Sequence, residues 1–231
     1  MTARQMQNAF EQEANRMDSD LIVESHRVFY WINEAINRFV KTRYSGNNYK
    51  GTSVEQTQKR IDDLNTLVTE VSLNVAAGGG TDNPRTLSYT VELPNNYLFT
   101  LSEEVYISID SPEYPNMQFE KRTGVTQCDS DTYFKKITDP YSEYKLHYES
   151  ANPLRLFTNG RITLTTDGNY RILSYLLRYL RRPNTVSLEG SDCDLPLHTH
   201  SEIVNLAVNL FLENEGDPRY SSNKSELILN E

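Results

Sequence analysis

Five residues whose side chains commonly bind metals or transfer protons lie within ten positions of the sequence: Cys193, Asp194, His198, His200 and Glu202. On a strand, His198 and His200 would point to opposite faces. On a helix they would lie about 200° apart, so they do not converge as two histidines four residues apart do. A closed zinc site would need Cys193, Asp194 and a favourable loop, because no second ligand cluster occurs elsewhere. We therefore expect no metal site and no cofactor here.

The same stretch has the pattern of a helix start. Thr199 and Glu202 have the spacing of a capping box, in which the threonine caps an amide and the glutamate reaches back. An apolar face follows, and Gly216 with Pro218 predicts the end of the helix. The stretch is interpreted as a return from sheet to helix, with His198 and His200 as structural or surface residues.

Other catalytic arrangements are weaker. The chain has no G-x-S-x-G nucleophile elbow, and the pair Asp62 and Asp63 is interpreted as the solvated face of a helix. We therefore predict that the protein is not an enzyme. The basic residues of the middle region form either a basic patch or charges at strand edges and rims, and the second interpretation is favoured. These residues are Lys121, Arg122, Lys135, Lys136, Arg178, Arg181 and Arg182.

Composition narrows the function further. The 231 residues carry a net charge of -9, which argues against a protein that holds nucleic acid through its phosphates. No apolar run approaches the roughly 20 residues of a membrane-spanning helix. The first residues lack the apolar core of a signal peptide. Two cysteines do not make a disulfide framework, so we expect free thiols in a reducing cytosol.

Helical periodicity dominates the first third of the chain. The stripe Met6, Phe10, Ala14 and Met17 predicts a narrow amphipathic helix. A second helix with a wide apolar face follows Ser25, and a third of about six turns is predicted from Thr52 onward. We expect these helices to share a core with the final helix, formed by Trp31, Ile36, Phe39, Leu64, Leu206 and Leu210.

From residue 87 the apolar period changes to two, which predicts antiparallel strands. The pairs Asn159-Gly160 and Asp167-Gly168 are hairpin-turn signals and predict a three-stranded meander. Its last strand, residues 170–181, is apolar on both faces, so we expect it at the centre of a sheet. Residues 111–152 are polar and weakly patterned, and are interpreted as long loops with short strands.

The predicted fold class is therefore α+β: N-terminal helices and a C-terminal helix form a helical layer, into which an antiparallel β-sheet or sandwich region is inserted. The predicted parts are a helical part at 1–83, an antiparallel β part at 84–190, a returning helix at 191–216 and a flexible docking tail at 217–231.

Several segments carry a resemblance. The order of "FYWINEAINRFVKTRY", "QKRIDDLNTLV", "VELPNNYLF", "YRILSYLLRYLRRPNTV" and "DLPLHTHSEIVNLAVNLFLEN" resembles the head-to-tail connector proteins, also called ring or adaptor proteins, of crAss-like phages. More distantly, it is similar to the tail tubular protein A of short-tailed phages. The motifs cover the first third and the last quarter of the chain.

The resemblance implies a structural virion protein without catalytic residues. It implies a closed, 12-fold homo-oligomeric ring below the portal, in contact with the portal protein and with downstream tail or ring proteins. Double-stranded DNA would pass through the lumen without specific binding. The location implied is the portal vertex or tail of the virion, and the host cytoplasm during assembly. Two alternatives stay open: a soluble binding module containing a β-sandwich, and an uncharacterised enzyme.

The last residues suggest a docking segment. After Pro218 the sequence is short and polar, yet it ends in the apolar triplet Leu227, Ile228 and Leu229. Such a terminal peptide can order itself on a neighbouring subunit. We predict that this tail docks on the portal, with Tyr220 and the triplet as anchors.

Overall fold

The computed structural model describes residues 1–15, 23–45, 54–78, 86–109, 119–147, 150–158 and 160–216. The chain divides into two compact units. The helical unit contains Met1–Val68 and Arg182–Glu231, and the β unit contains Thr69–Arg181. This is the α+β class predicted from the sequence, with a sheet region inserted between helices.

The helices are α1 Ala3–Ala14, α2 Ser25–Ser45, α3 Val54–Leu64, α4 Ser130–Thr138 and α5 His200–Glu215. The strands are β1 Val68–Asn74, β2 Ala76–Ala77, β3 Leu87–Glu92, β4 Tyr97–Ile109, β5 Phe119–Gly124, β6 Thr126–Gln127, β7 Leu154–Thr158, β8 Arg161–Thr166 and β9 Tyr170–Arg181. Short 3-10 helices occupy Asn65–Leu67 and Leu197–Thr199.

Helix α1 begins with a complete capping box. The Gln5 amide donates to the Thr2 hydroxyl at 3.3 Å, and the Thr2 amide donates to the Gln5 side-chain oxygen at 2.9 Å. The predicted stripe is buried at Met6, Phe10 and Ala14. Met17 lies outside the described residues.

Helix α5 is the partner for the other helices of its unit. Both α1 and α2 contact it, and the rings of Phe10 and Phe211 meet edge to face with centroids 5.7 Å apart. The helix ends as predicted at Gly216, whose φ of 69° is the left-handed conformation that glycine adopts without strain.

The predicted shared core is confirmed in part. Ile36, Phe39, Leu64 and Leu210 are buried, but Trp31 and Leu206 are only half-buried. The Trp31 ring packs edge to face on Tyr30, itself 59 % exposed. A fully buried tryptophan would lose about 3 to 5 kcal/mol on replacement by alanine, so Trp31→Ala is expected to cost less than that.

The predicted third helix is wrong in its length. Helix α3 ends at Leu64, and residues 68–74 form strand β1 instead of two further helical turns. This segment is rich in β-branched residues, which favour strands. Its half-buried Val71 and Leu73 pack on the core of the β unit. Side chains two positions apart lie on the same face of a strand but on different faces of a helix.

Two sheets make up the β unit. One has the strand order β1-β9-β4-β5, and the other has the order β2-β3-β8-β7-β6. Val105 and Ile107 of the first sheet share a hydrophobic core with Ile162 and Leu164 of the second. The two sheets therefore pack face to face as a sandwich.

Strand β9 is an inner strand, as predicted from its apolar character on both faces. The predicted three-stranded meander is nevertheless wrong, because β7 and β8 pair in one sheet while β9 belongs to the other. The chain crosses between the sheets at Asp167 and Gly168. Asp167 accepts the amides of Leu146 and Asn169, and Gly168 adopts a φ of 85°.

Residues 119–147 are more regular than predicted. They form β5, β6 and α4, and α4 lies on the outer face of the five-stranded sheet. Tyr133 of α4 packs against Leu154, and its hydroxyl lies 2.9 Å from the hydroxyl of Thr165. Among the described residues, no helix is long and apolar enough to cross a membrane.

Candidate functional site

His200 is a buried structural residue of the helical unit. Its Nε2 lies 2.9 Å from the Leu195 carbonyl oxygen, and its Nδ1 lies 2.8 Å from the Met1 amino group. Burial lowers the pKa of His200 below its ordinary value. The residue stands at the first position of α5, where it fixes the preceding turn to the helix.

The charged network of the helical unit consists of Arg43, Lys59, Asp63, His198 and Glu202. Asp63 is fully buried; its Oδ1 lies 2.9 Å from His198 Nε2, and its Oδ2 lies 3.0 Å from Arg43 Nε. The contact between Asp63 Oδ2 and Arg43 Nε is an ion pair without a hydrogen bond, because neither atom has a hydrogen-bond partner. Glu202 receives Arg43 Nη2 at 2.7 Å and Lys59 Nζ at 3.1 Å.

This network corrects two sequence-based interpretations. Asp63 is not on a solvated face but is fully buried, whereas Ile61 of the same helix is 56 % exposed. Glu202 does not reach back to cap Thr199, whose hydroxyl donates to the Pro196 carbonyl. The reason is the same in both cases: basic side chains from α2 and α3 offer the carboxylates stronger partners than solvent or a helix amide.

The arrangement is suited to fixing helices and unsuited to metal binding. Among the described residues, no group of three His, Cys, Asp or Glu side chains could hold a metal ion. Cys193 is partly buried, and burial raises the pKa of its thiol, which disfavours the reactive thiolate. The network connects the end of α2, the end of α3 and the start of α5.

A buried ion pair in the β unit was missed by the sequence reasoning. Glu103 Oε1 of β4 lies 3.0 Å from Arg155 Nη2 of β7, and both side chains are about 10 % exposed. Burial raises the pKa of Glu103, and the nearby arginine opposes that effect. Burial and the neighbouring Glu103 raise the pKa of Tyr175. Glu103 stands among alternating strand residues, so the only local signal was a charge at an inward position.

The basic residues of the β unit do not form one patch. Lys121 and Arg122 lie on the edge strand β5, as the edge interpretation predicts, while Lys135 and Lys136 lie on α4 over the other sheet. Arg178 lies on the inner strand β9, which the edge interpretation does not explain.

The outward face of the inner strands β9 and β4 presents a surface that we call the arginine face: Arg171, Leu173, Leu176 and Arg178 of β9, and Tyr106 of β4. Leu173 is 47 % exposed and Tyr106 is 39 % exposed. Leu176 is half-buried, and both arginines are exposed. Within the described part of the chain, Arg171 and Arg178 have no ion-pair partner. Exposed apolar and aromatic side chains next to arginines are typical of protein contact surfaces.

Residues 187–192 form a second exposed feature, which we call the acidic loop. It presents Leu188, 46 % exposed, beside the exposed Glu189. The loop is held in place because Asn33 of α2 bonds both the amide and the carbonyl of Val186, at 2.9 and 3.0 Å. Asp192 accepts the Ala3 amide at 2.6 Å.

The predicted docking residues Tyr220, Leu227, Ile228 and Leu229 lie outside the described residues. Their role stays a prediction.

Comparison with known proteins gives the class. Residues 1–217 match the family model CrAss_Ring_3_4, which makes the chain a structural protein of a phage tail. The chain belongs to the family described as phage tail ring protein 3/4. The resemblance to ring proteins of crAss-like phages is thereby confirmed at the level of the family. No curated protein matches this chain significantly.

Proposed function

We propose that this chain assembles with copies of itself into a closed ring of the head-to-tail connector, below the portal, and that DNA passes through the ring lumen. The family match over residues 1–217 is the observation that carries the proposal. The role is structural rather than catalytic, and it requires no cofactor.

The charge of the chain supports a DNA conduit. A net charge of -9 disfavours tight binding of phosphates, so double-stranded DNA can move past the ring without specific contacts. The ring has 12 copies in this proposal. Its other partners are the portal protein and the adjacent tail or ring proteins, and assembly takes place in the host cytoplasm before the ring becomes part of the virion.

The mass of the assembled particle tests the proposal. Native mass spectrometry of the purified chain, alone and with the neighbouring tail proteins, is expected to show a closed oligomer of twelve 26.7 kDa copies. A different integer would correct the symmetry only. A chain that stays monomeric under every condition, including with its neighbours, would contradict the ring.

We also propose that residues 217–231 dock on the portal. The support is the apolar triplet Leu227, Ile228 and Leu229 in an otherwise polar segment. The family match covers residues 1–217, and residues 218–231 lie outside it.

A further inference from the structure

A closed ring needs two different complementary surfaces on each copy, because a head-to-tail interface places one surface of a protomer against another surface of its neighbour. The two candidate surfaces described above lie on different units of the chain. Their role in closing the ring rests on the proposed function.

The arginine face has the composition of the central part of an interface. It combines an aromatic residue, two leucines and two arginines on two inner strands, whose backbones are already paired on both sides. All of these side chains are exposed except Leu176, which is half-buried. A partner must therefore contact its side chains rather than add a strand. Arg171 and Arg178 flank the leucines, and the described residues supply neither of them with a carboxylate.

The helical unit supplies the opposite charge. Between residues 182 and 216 the chain has one basic residue, Arg182, and six acidic ones. Most of these carboxylates have partners, including Asp192 with Ala3, Glu202 in the charged network, and Glu215 with Arg27 at 2.7 Å. Glu189 has no partner among the described residues, and exposed Leu188 stands beside it.

We propose that the arginine face of one copy binds the acidic loop of the next copy, and that this contact closes the ring. Glu189 then pairs with Arg171 or Arg178, and Leu188 covers Leu173 and Leu176. The apolar part supplies affinity and the charges supply orientation. Because Asn33 and the Val186–Ser191 bridge hold the loop in its conformation, binding has little ordering entropy to overcome.

The test uses two variants of the full chain. The face variant carries Arg171→Glu and Arg178→Glu, and the loop variant carries Leu188→Ser and Glu189→Ser. A control carries Lys135→Glu and Lys136→Glu, the same charge change as the face variant but on α4 of the same unit. All substituted side chains are at least partly exposed, so each Tm should stay close to that of the unchanged chain.

Native mass spectrometry then distinguishes the outcomes. We expect each of the face and loop variants to lose the ring, with self-association at least tenfold weaker, while the control keeps it. Mixed together, the two variants should form a one-to-one dimer, because only one of the two interfaces between them is intact. Dimers without rings are the specific signature of this head-to-tail contact.

Three results would overturn the inference. Rings formed by the face variant, or by the loop variant, would show that this surface is not the contact, and would leave the proposed ring standing. Binding of double-stranded DNA by the unchanged chain that the face variant loses would assign the arginines to DNA. An unchanged chain that forms no ring, even with its neighbours, would overturn the proposed function as well.

Discussion

Asp63 is a buried carboxylate that contacts two basic side chains, Arg43 and His198. Replacing it with alanine would leave Nε of Arg43, a side chain only 9 % exposed, without a carboxylate, while Nη2 keeps Glu202 at 2.7 Å. We expect Asp63→Ala to lower the free energy of unfolding by about 1 to 3 kcal/mol, since a buried donor loses its partner while Glu202 still compensates the arginine charge. Denaturant unfolding measures the loss.

The adjacent Asp62 is the control for this prediction. It is exposed and, among the described residues, accepts a hydrogen bond from the Gln58 side chain at 3.2 Å, so Asp62→Ala should change stability by less than about 0.5 kcal/mol. Equal losses for the two variants would show that helix α3, rather than the buried contact, is what alanine perturbs.

His200 gives the helical unit a pH dependence. Its folded pKa is lowered by burial, while an unfolded histidine takes up its proton near pH 6.5. As the pH falls below that value the unfolded state binds more protons, so stability falls. In His200→Gln this contribution disappears, and we expect a smaller loss of Tm between pH 7.5 and pH 5.5 than in the unchanged chain.

Exposed His26 provides the comparison for the pH experiment. His26→Gln should retain the pH dependence of the unchanged chain. If His200→Gln also retains it in full, another group is responsible, and His200 does not stay neutral in the folded protein.

Among the elements, strands β4 and β7 are joined through Glu103 and Arg155 across the sandwich. Arg155→Met leaves a buried carboxylate, and we expect a loss of about 3 to 5 kcal/mol near neutral pH. Because the pKa of Glu103 is already raised, the loss should shrink at lower pH, where the carboxyl becomes neutral. Denaturant unfolding at two pH values measures both effects.

The matched variant replaces the whole pair. Glu103→Leu combined with Arg155→Met removes both charges and keeps apolar volume, so most of the stability should return. A double variant as unstable as Arg155→Met alone would mean that packing between the sheets, and not charge, is what the arginine provides.

At the scale of the whole molecule, the C-terminal tail is expected to contribute to assembly but not to folding. Deleting residues 220–231 removes the predicted anchors and leaves every described element of the helical unit intact. We expect the isolated chain to keep its Tm and its ring, but to lose attachment to the portal in a co-sedimentation assay. Normal attachment of the truncated chain would refute the docking proposal.

A conservative variant sharpens this experiment. Replacing Leu227, Ile228 and Leu229 by serine keeps the length of the tail and removes only its apolar side chains. If the triplet is the anchor, this variant should behave like the deletion. Loss of attachment in the deletion alone would assign the contact to Tyr220 or to the backbone of the tail.

Local patterns in the sequence determined much of the fold. The buried stripe of α1, the inner position of β9 and the end of α5 at Gly216 follow from periodicity and from glycine's backbone freedom, which are properties of neighbouring residues. The order of the helical and strand segments also carried the resemblance to the ring family, which the family match over residues 1–217 confirms.

Only the tertiary structure decided which side chains contact each other and which strands pair. The sequence could not show that Asp63 is buried, since its environment depends on Arg43, twenty positions away, and on His198. Nor could it show that β9 leaves the sheet of β8, because a hairpin signal describes a turn and not the sheet that the next strand joins. Pairing and burial are set by contacts between distant residues, and a local pattern carries no record of them.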